Sequence, residues 1–487
     1  MPMHEKDPAQ HLAPELLSPN HTPYHFTVKI REETERGFLA LEVNGEWVHK
    51  TRGYSLEERE HTAYLSLYEK LSADFGLRLP QNRRETNVPP QRDYPYLVLL
   101  KQNLTPEILY GYGDPAVLRV DKGPHAEETT YYLVATSNDA PDSFPLLRSH
   151  TLTDWELVRF VFPRGQKPAW AAEGELLSDY WAPELHLVGG EFRLYFVARD
   201  KHTRELCIGL ARSTSPEGPF RADPLPLLRD NVIDPHLFVQ EEGTSFLFWK
   251  EDNNEVWPRL LLDLLYHSPY LISELFPQKE DQITASFILT IWPWAKTLEP
   301  MERFLVIQVF IEAVIYRYLE FYDQLTALLQ HQSPNIQQEI QLVQRFMKTP
   351  IYAQQLSPDG STLVGERTKV LENDLAWEAH LIEGIWVTQQ MGKYYLFYAG
   401  NDFSTDQYGI GVAYADSLLG PYQKLSAPLL QSTADWWAPG HPSVVTGPDG
   451  KPQLILHAYF PHHAGYKKFR AVLAVPLTFE GEKVRLG

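Results

Sequence analysis

Ile208-Gly209-Leu210-Ala211, followed by Gly218-Pro219-Phe220, returns 202 positions later as Ile410-Gly411-Val412-Ala413, followed by Gly420-Pro421-Tyr422. The offset holds at every one of these positions, so what recurs is a structural unit rather than a short motif. Outward from both copies, the sequence follows one plan five times. A polar residue beside Pro or Gly opens a short apolar run, a turn follows, and a second apolar run closes the unit. The openers are Asp114-Pro115, Pro183-Glu184, Asp234-Pro235, Glu383-Gly384 and His441-Pro442. The second runs are Tyr131 to Thr136, Phe192 to Ala198, Ser245 to Lys250, Tyr394 to Gly400 and Gln453 to Tyr459. Such runs, rich in aromatic and β-branched residues and bounded by turn formers, read as strands. Five repeats of about 40 residues with three or four strands each predict an all-β, five-bladed β-propeller whose openers converge on one central funnel. A sandwich of five unrelated strand–turn–strand units is the alternative.

Two segments fall outside the repeat. Residues 1–100 carry a polar tail and then a hairpin-like stretch from His25 to Lys50, with Val43-Asn44-Gly45-Glu46 as its turn. A helix is predicted from Ser55 to Leu77, with Ser55 and Glu58 at capping-box spacing. Pro80 to Pro95 marks a linker. Residues 257–349 lose the strand pattern and become helical, as in Met301 to Gln330, where Gln308, Glu312, Arg317, Glu320 and Asp323-Gln324 make a polar stripe. The predicted organisation is therefore an α+β N-terminal extension (1–100), propeller (101–256), helical insertion (257–349) and propeller again (350–487). Trp257-Pro258 and Pro350-Ile351-Tyr352 read as two halves of one strand region, split by the helices. The insertion's apolar content predicts a surface covered by the propeller or by a second subunit, hence a homo-oligomer. The N-terminal region is expected to pack on the propeller.

The 487 residues include 44 basic and 63 acidic side chains, a formal charge of −19, which argues against a nucleic-acid partner. No 18-residue window is free of charge, so no membrane span is expected. The single cysteine, Cys207, excludes an intrachain disulfide and a cysteine zinc site. Met1 to Ala13 lacks an apolar signal core, which predicts a cytoplasmic location. The 12 Trp, 26 Tyr and 23 Phe provide ring surface beyond what strands alone need.

Asp114, Asp234 and Glu383 each stand at an opener, and a propeller funnel brings such residues together from distant sequence. Glycoside hydrolysis needs this residue type: one carboxylic acid protonates the leaving oxygen while a carboxylate activates water or attacks the sugar carbon. A third carboxylate keeps the acid protonated by like-charge repulsion. An isolated Asp-Pro is a turn signal, but three carboxylates at blade openers point to chemistry.

Several stretches, in order, resemble glycoside hydrolase family 43: Gly113-Asp114-Pro115-Ala116, Ser149 through Leu152 to Asp154-Trp155, Trp181-Ala182-Pro183-Glu184-Leu185, Ile233-Asp234-Pro235-His236, Ile382-Glu383-Gly384, Gly440-His441-Pro442-Ser443 and His457-Ala458-Tyr459. They cover about 113–256 and 350–475. The resemblance implies a five-bladed propeller and an inverting glycosidase. By it, Asp114 is the general base, Glu383 the general acid and Asp234 the carboxylate that tunes and orients the acid. Trp181 matches a sugar-stacking or pocket-wall residue, or else a blade-packing Trp. Arg470 matches an arginine that binds the sugar, or else a surface strand arginine. Glu184 is a supporting residue of the substrate funnel. His457 matches a histidine that faces a calcium ion or waters on the propeller axis, and no cofactor is needed for the chemistry. Glu378 is the rival for the acid, and Gly384 after Glu383 decides between them.

The implied function is release of terminal α-L-arabinofuranose or β-xylose from hemicellulose-derived oligosaccharides. Retaining fructoside-type propellers share the architecture, with a nucleophile in Asp-Pro-Asn-Gly and an acid in a Glu-Cys pair, whereas here Asp114 is followed by Pro115-Ala116-Val117 and Cys207 is preceded by Leu206. A non-catalytic carbohydrate-binding propeller has no need of three converging carboxylates.

Overall fold

The computed structural model describes residues 15–33, 38–51, 69, 71–74, 76–77, 93–174, 178–298 and 300–487. The chain divides into two compact units, Met1–Val88 with Asn254–Met347, and Pro89–Asn253 with Lys348–Gly487.

Among the described residues the second unit is built from five antiparallel sheets, four of them four-stranded and the last five-stranded. Blade 1 comprises Gly113–Val120, Thr130–Thr136, Ser143–Ser149 and Glu156–Phe162. Blade 2 comprises Trp181–Val188, Glu191–Arg199, Leu206–Ser213 and Arg221–Ala222. Blade 3 takes Val232–Val239 and Ser245–Glu251, then resumes after the insertion with Ile351–Leu356 and Leu363–Leu371. Blade 4 comprises Ile382–Gln390, Lys393–Gly400, Gly409–Ala415 and Gln423–Lys424, and blade 5 Trp437–Thr446, Pro452–Tyr459, Ala471–Glu480 and Lys483–Leu486. The first strands neighbour one another in a closed cycle that returns from blade 5 to blade 1. That cycle makes the unit a five-bladed β-propeller and excludes a sandwich. Leu97–Leu100 adds to the third strand of blade 5, with Leu100 opposite Val472.

Each pair of adjacent blades encloses one apolar cluster, so every blade buries both faces. A fully buried Leu or Phe there contributes about 1.5–3 kcal/mol. The repeated glycine of the third strands has a packing cause. A Cβ on Gly209 would lie 2.5 Å from the Phe196 ring and 2.7 Å from Trp170, and one on Gly411 would lie 2.5 Å from Tyr398. The stacked pairs Trp170–Phe196 and Trp377–Tyr398 occupy that space.

In the first unit, Leu16–Leu17, Thr27–Glu33, Phe38–Val43 and Glu46–Thr51 form an antiparallel sheet. Its last hairpin turns at Asn44-Gly45, both in the left-handed region, as the sequence predicts. Among the described residues of the insertion six α-helices follow: α1 (Val256–His267), α2 (Leu271–Leu275), α3 (Lys279–Ala295), α4 (Pro300–Ile315), α5 (Tyr318–Leu328) and α6 (Pro334–Met347). α3 is buried from Ile283 through Trp292, and its Thr284 and Thr290 hydroxyls donate to the carbonyls of Glu280 and Ser286. The sheet meets α3 through a hydroxyl–hydroxyl hydrogen bond, Ser18 to Thr290 at 2.7 Å, and an edge-on contact of Phe26 with Phe287. The N-terminal segment therefore shares a unit with the insertion.

Two local readings change. Trp257-Pro258 is not half of a strand: it lies in the first turn of α1, where proline is tolerated because the first amides lack helical partners. The long helix read from Met301 to Gln330 is broken near Arg317, whose φ of −132° leaves the helical region. The predicted helix Ser55 to Leu77 falls mainly outside the described residues, of which 69 and 71–74 are helical. The apolar residues that implied subunit contacts are largely buried in the folded chain. Tyr270, Tyr316 and Leu342 are the exposed large apolar side chains among the described residues of 254–347. Among the described residues no helix is long and apolar enough to cross a membrane.

Candidate active site

The first strand of every blade carries a β-bulge at the same place, between Gly113 and Ala116, Trp181 and Glu184, Ile233 and His236, Glu383 and Trp386, and Gly440 and Ser443. The first extra residue of each bulge has positive φ: Asp114 (53°), Ala182 (43°), Asp234 (56°), Gly384 (61°) and His441 (47°). A bulge re-aims side chains and ends local pairing, and five of them around a closed ring point one residue per blade at the axis. Non-glycine residues in that conformation store about 1–3 kcal/mol each, a frequent mark of functional sites. Asp114 and Asp234 are equivalent in the repeat. Glu383 is not: it stands one residue earlier, and Gly384 holds the bulge position of blade 4.

A second ring lies behind the first, at one register position of the second strands. Thr136 pairs with Gly113, Val197 with Trp181, Lys250 with Ile233, Ala399 with Glu383 and His457 with Gly440. Three of these five support the carboxylates directly. Thr136 Oγ1 accepts the Ala182 N–H at 2.8 Å and donates to Asp114 Oδ2 at 2.5 Å. His457 Nδ1 accepts the Asp114 N–H at 3.1 Å and lies 3.4 Å from Asp114 Oδ1. Lys250 Nζ stands 3.6 Å from Glu383 Oε2.

The three carboxylates are held in different states. Asp114 Oδ1 accepts a hydrogen bond from Arg470 Nη1 at 2.9 Å and lies 3.3 Å from His441 Nδ1. Burial alone would raise its pKa, but the Arg470 guanidinium, His441, His457 and the Thr136 hydroxyl outweigh burial and hold it below the ordinary carboxylate range. Asp234 Oδ2 accepts the Gly384 N–H at 2.7 Å. Its pKa is raised, by burial first, against His441, Lys250 and that amide, with the Asp114 charge adding to the rise. Glu383 Oε1 accepts the Tyr408 hydroxyl at 2.7 Å. Burial pushes Glu383 up to about 7, Lys250 pulls the other way, and the Asp234 charge adds to the rise. An ionised Asp and a protonated Glu in one funnel can act as a base and an acid.

Of the remaining expected residues, Trp181 is half-buried at the funnel end of blade 2, its indole N–H donating to Asn138 Oδ1 at 3.0 Å. Arg470 is largely buried and donates to Asp114 through Nη1, so it is a partner of the carboxylate and not a surface strand arginine. Glu184 does not line the funnel for substrate. Only 3% exposed, it accepts His236 Nδ1–H at 2.9 Å and His186 Nε2–H at 2.8 Å, joining blades 2 and 3. Glu378, the rival acid, is fully buried and accepts from Tyr398 and Lys424.

The two candidate metal groups differ in what they leave free. His457 has its Nδ1 committed to the Asp114 amide, which leaves Nε2 without a hydrogen-bond partner among the described residues. Calcium takes six to eight oxygen ligands, waters included, and the Asp114 oxygens beside His457 already accept from Arg470 and Thr136, so an ion facing Nε2 would draw its oxygens mainly from water. Glu184, His186 and His236 bring three ligand atoms within 4.8 Å of one another. His236 Nε2, however, accepts the Val387 N–H at 2.9 Å. A metal on Nδ1 would therefore displace its only proton and leave an imidazolate.

Thr136, Lys250, Tyr408 and His441 were not singled out as site residues from the sequence. Thr136 and Lys250 carried a legible signal, since both end their predicted second strands. Tyr408 carried none, because it sits in the loop before the third strand of blade 4.

A propeller whose funnel holds carboxylates in opposed protonation states has the machinery of a glycoside hydrolase. The sequence model of glycosyl hydrolases family 43 matches residues 107–266 and 337–483, more than half of the chain and both sides of the helical insertion. The chain belongs to this family. It is similar to the xylosidase/arabinosidase 43A of Humicola insolens, 42% identical over 72 residues, 15% of this chain and 22% of that protein. A putative beta-xylosidase of Xylanibacter ruminicola is 25% identical over 138 residues, 28% of this chain and 23% of that protein. The chain thus aligns with less than a quarter of the length of these curated relatives. A crystal structure of a thermostable family-43 glycoside hydrolase matches with a TM-score of 0.53 and 26% identity, over 77% of this chain and 92% of that one.

Proposed function

We propose that this protein is an inverting, exo-acting glycosidase that releases terminal α-L-arabinofuranose or β-xylose from xylan- or arabinan-type oligosaccharides. Glu383 protonates the glycosidic oxygen as the C–O bond breaks. Asp114 takes a proton from the water that attacks the anomeric carbon from the opposite face. Asp234 raises the acid's pKa and is itself held by the Gly384 amide. The observation that carries the reading is the contrast in surroundings: Asp114 accepts from the Arg470 guanidinium, while Glu383 accepts only a neutral Tyr408 hydroxyl and lies beside the Asp234 charge. The pentose assignment is supported by the names of the curated relatives. Trp181 supplies a ring face for the terminal sugar.

Aryl α-L-arabinofuranosides and β-xylosides, followed by proton NMR of the first-formed anomer, test this reading. Release of the inverted anomer is expected. Release of neither sugar would remove the substrate assignment, and retention of configuration would remove the mechanism.

A further inference from the structure

Lys250 is a residue that the acid–base scheme leaves unused. Its side chain is fully buried, and its ammonium has no hydrogen-bond partner among the described residues. An unpaired buried cation is costly, so its charge must be balanced by what stands beside it. Glu383 Oε2 is 3.6 Å away, and Asp234 follows Ile233, the residue directly opposite Lys250 on the neighbouring strand. The other funnel cation, Arg470, is hydrogen-bonded to Asp114. Among the described lysines and arginines, one ammonium is thus left to two carboxylates, with His441 beside them. Doubly ionised, the pair would carry one uncompensated charge; doubly protonated, it would leave Lys250 unbalanced. The neutral arrangement holds one proton between them.

We propose that Lys250 is the counter-ion of the Asp234–Glu383 pair, a positioning residue that fixes the pair at one proton in the resting enzyme. The Gly384 N–H on Asp234 favours the charged form there and leaves the proton on Glu383. When Glu383 delivers that proton to the leaving oxygen, both carboxylates face one ammonium. The excess negative charge then draws a proton back from solvent. The other titratable groups around the pair are Tyr408 and His441, which face Glu383, His441 and Asp114, which face Asp234, and His380, which faces Lys250.

The inference rests on the acid role proposed above, and the test separates the two. In ¹³C-carboxyl NMR without substrate, the Glu383 resonance, identified by its loss in Glu383→Gln, is titrated in wild type, Lys250→Met and Lys250→Arg. Removing the cation disfavours ionisation, so the Lys250→Met midpoint and the basic limb of kcat/KM should rise by about 1–3 pH units. Lys250→Arg should keep both near wild type. An unmoved Lys250→Met titration, or an equal shift in Lys250→Arg, overturns the proposal. Should Lys250→Met fail to fold, Lys250→Arg decides, a wild-type titration supporting the counter-ion and a shifted one refuting it. Wild-type enzyme inert on all pentosides would sink the glycosidase reading while the NMR titration still reports on Lys250.

Discussion

The backbone N–H of Gly384 lies 2.7 Å from Asp234 Oδ2, so the residue that follows Glu383 holds the carboxylate beside Glu383. Gly384 can do this because its φ is 61°. A Cβ there would lie 2.9 Å from His441 Cα, a backbone atom with little room to retreat. Gly384→Ala should therefore destabilise the fold by about 1–3 kcal/mol and lower kcat, with Asp234 displaced. Urea denaturation beside steady-state kinetics checks both effects.

The pH dependence of turnover follows from the two opposed carboxylates. Glu383 must be protonated, so activity should fall as pH rises through about 7. Asp114 must be ionised and is held low, so the acidic limb lies well below that. Asp234→Asn removes a charge that raises Glu383, so the basic limb should move to lower pH. On unactivated oligosaccharides the loss should reach about 10²–10⁴-fold, the usual weight of general acid catalysis. Leaving groups that need no protonation should lose much less. An unchanged basic limb in Asp234→Asn would count against its tuning role.

Thr136 is locked between blades 1 and 2, accepting from Ala182 and donating to Asp114. Its hydroxyl proton therefore has one destination. A hydrogen bond to a charged group contributes about 1.5–3 kcal/mol, so Thr136→Val should cut kcat/KM by about 10–100-fold. Asp114 loses a donor that favours its charged form, which moves the acidic limb to higher pH. Thr136→Ser restores the donor and should return most of the activity.

Glu184 makes a prediction about stability rather than turnover. Its pKa is lowered from 4.5 to about 2, burial being outweighed by His236 and His186. A depressed carboxylate contributes stability that is present above its unfolded value and lost as pH falls through the folded one. The contribution should fade between about pH 4.5 and pH 2. At neutral pH, Glu184→Gln takes the charge from the acceptor of two imidazole N–H bonds and should cost about 1.5–3 kcal/mol. Urea midpoints of wild type and variant, compared across pH, should converge in acid.

How far the sequence is readable depends on whether a feature is local or crosses strands. Asp114, Asp234 and Glu383 stood out because Pro or Gly flanks them, and the five openers became the five bulges. What Glu184 and Arg470 do was not readable, because partners decide it. Glu184 shares its motif with Trp181 yet is claimed by His236, 52 residues away, and Arg470 is claimed by Asp114 across 356 residues. The one-residue offset of Glu383 was hidden because Glu-Gly and Asp-Pro look alike as openers. Only the hydrogen-bond register shows that glycine, not glutamate, occupies the bulge. Thr136 and Lys250 were visible as strand ends, but their importance depends on the cross-strand pairing behind the funnel.

The pairing of Leu97–Leu100 with the third strand of blade 5 has a consequence in time. During synthesis, Asp114, Asp234 and Glu383 all leave the ribosome before Arg470 exists. Until Ala471–Glu480 emerges, Leu97–Leu100 has no strand to join and Asp114 has no guanidinium. The same stretch of chain thus adds the third strand of blade 5 and brings Arg470 to Asp114, so a polypeptide cut short before residue 470 would carry all three carboxylates without the cation that keeps Asp114 ionised.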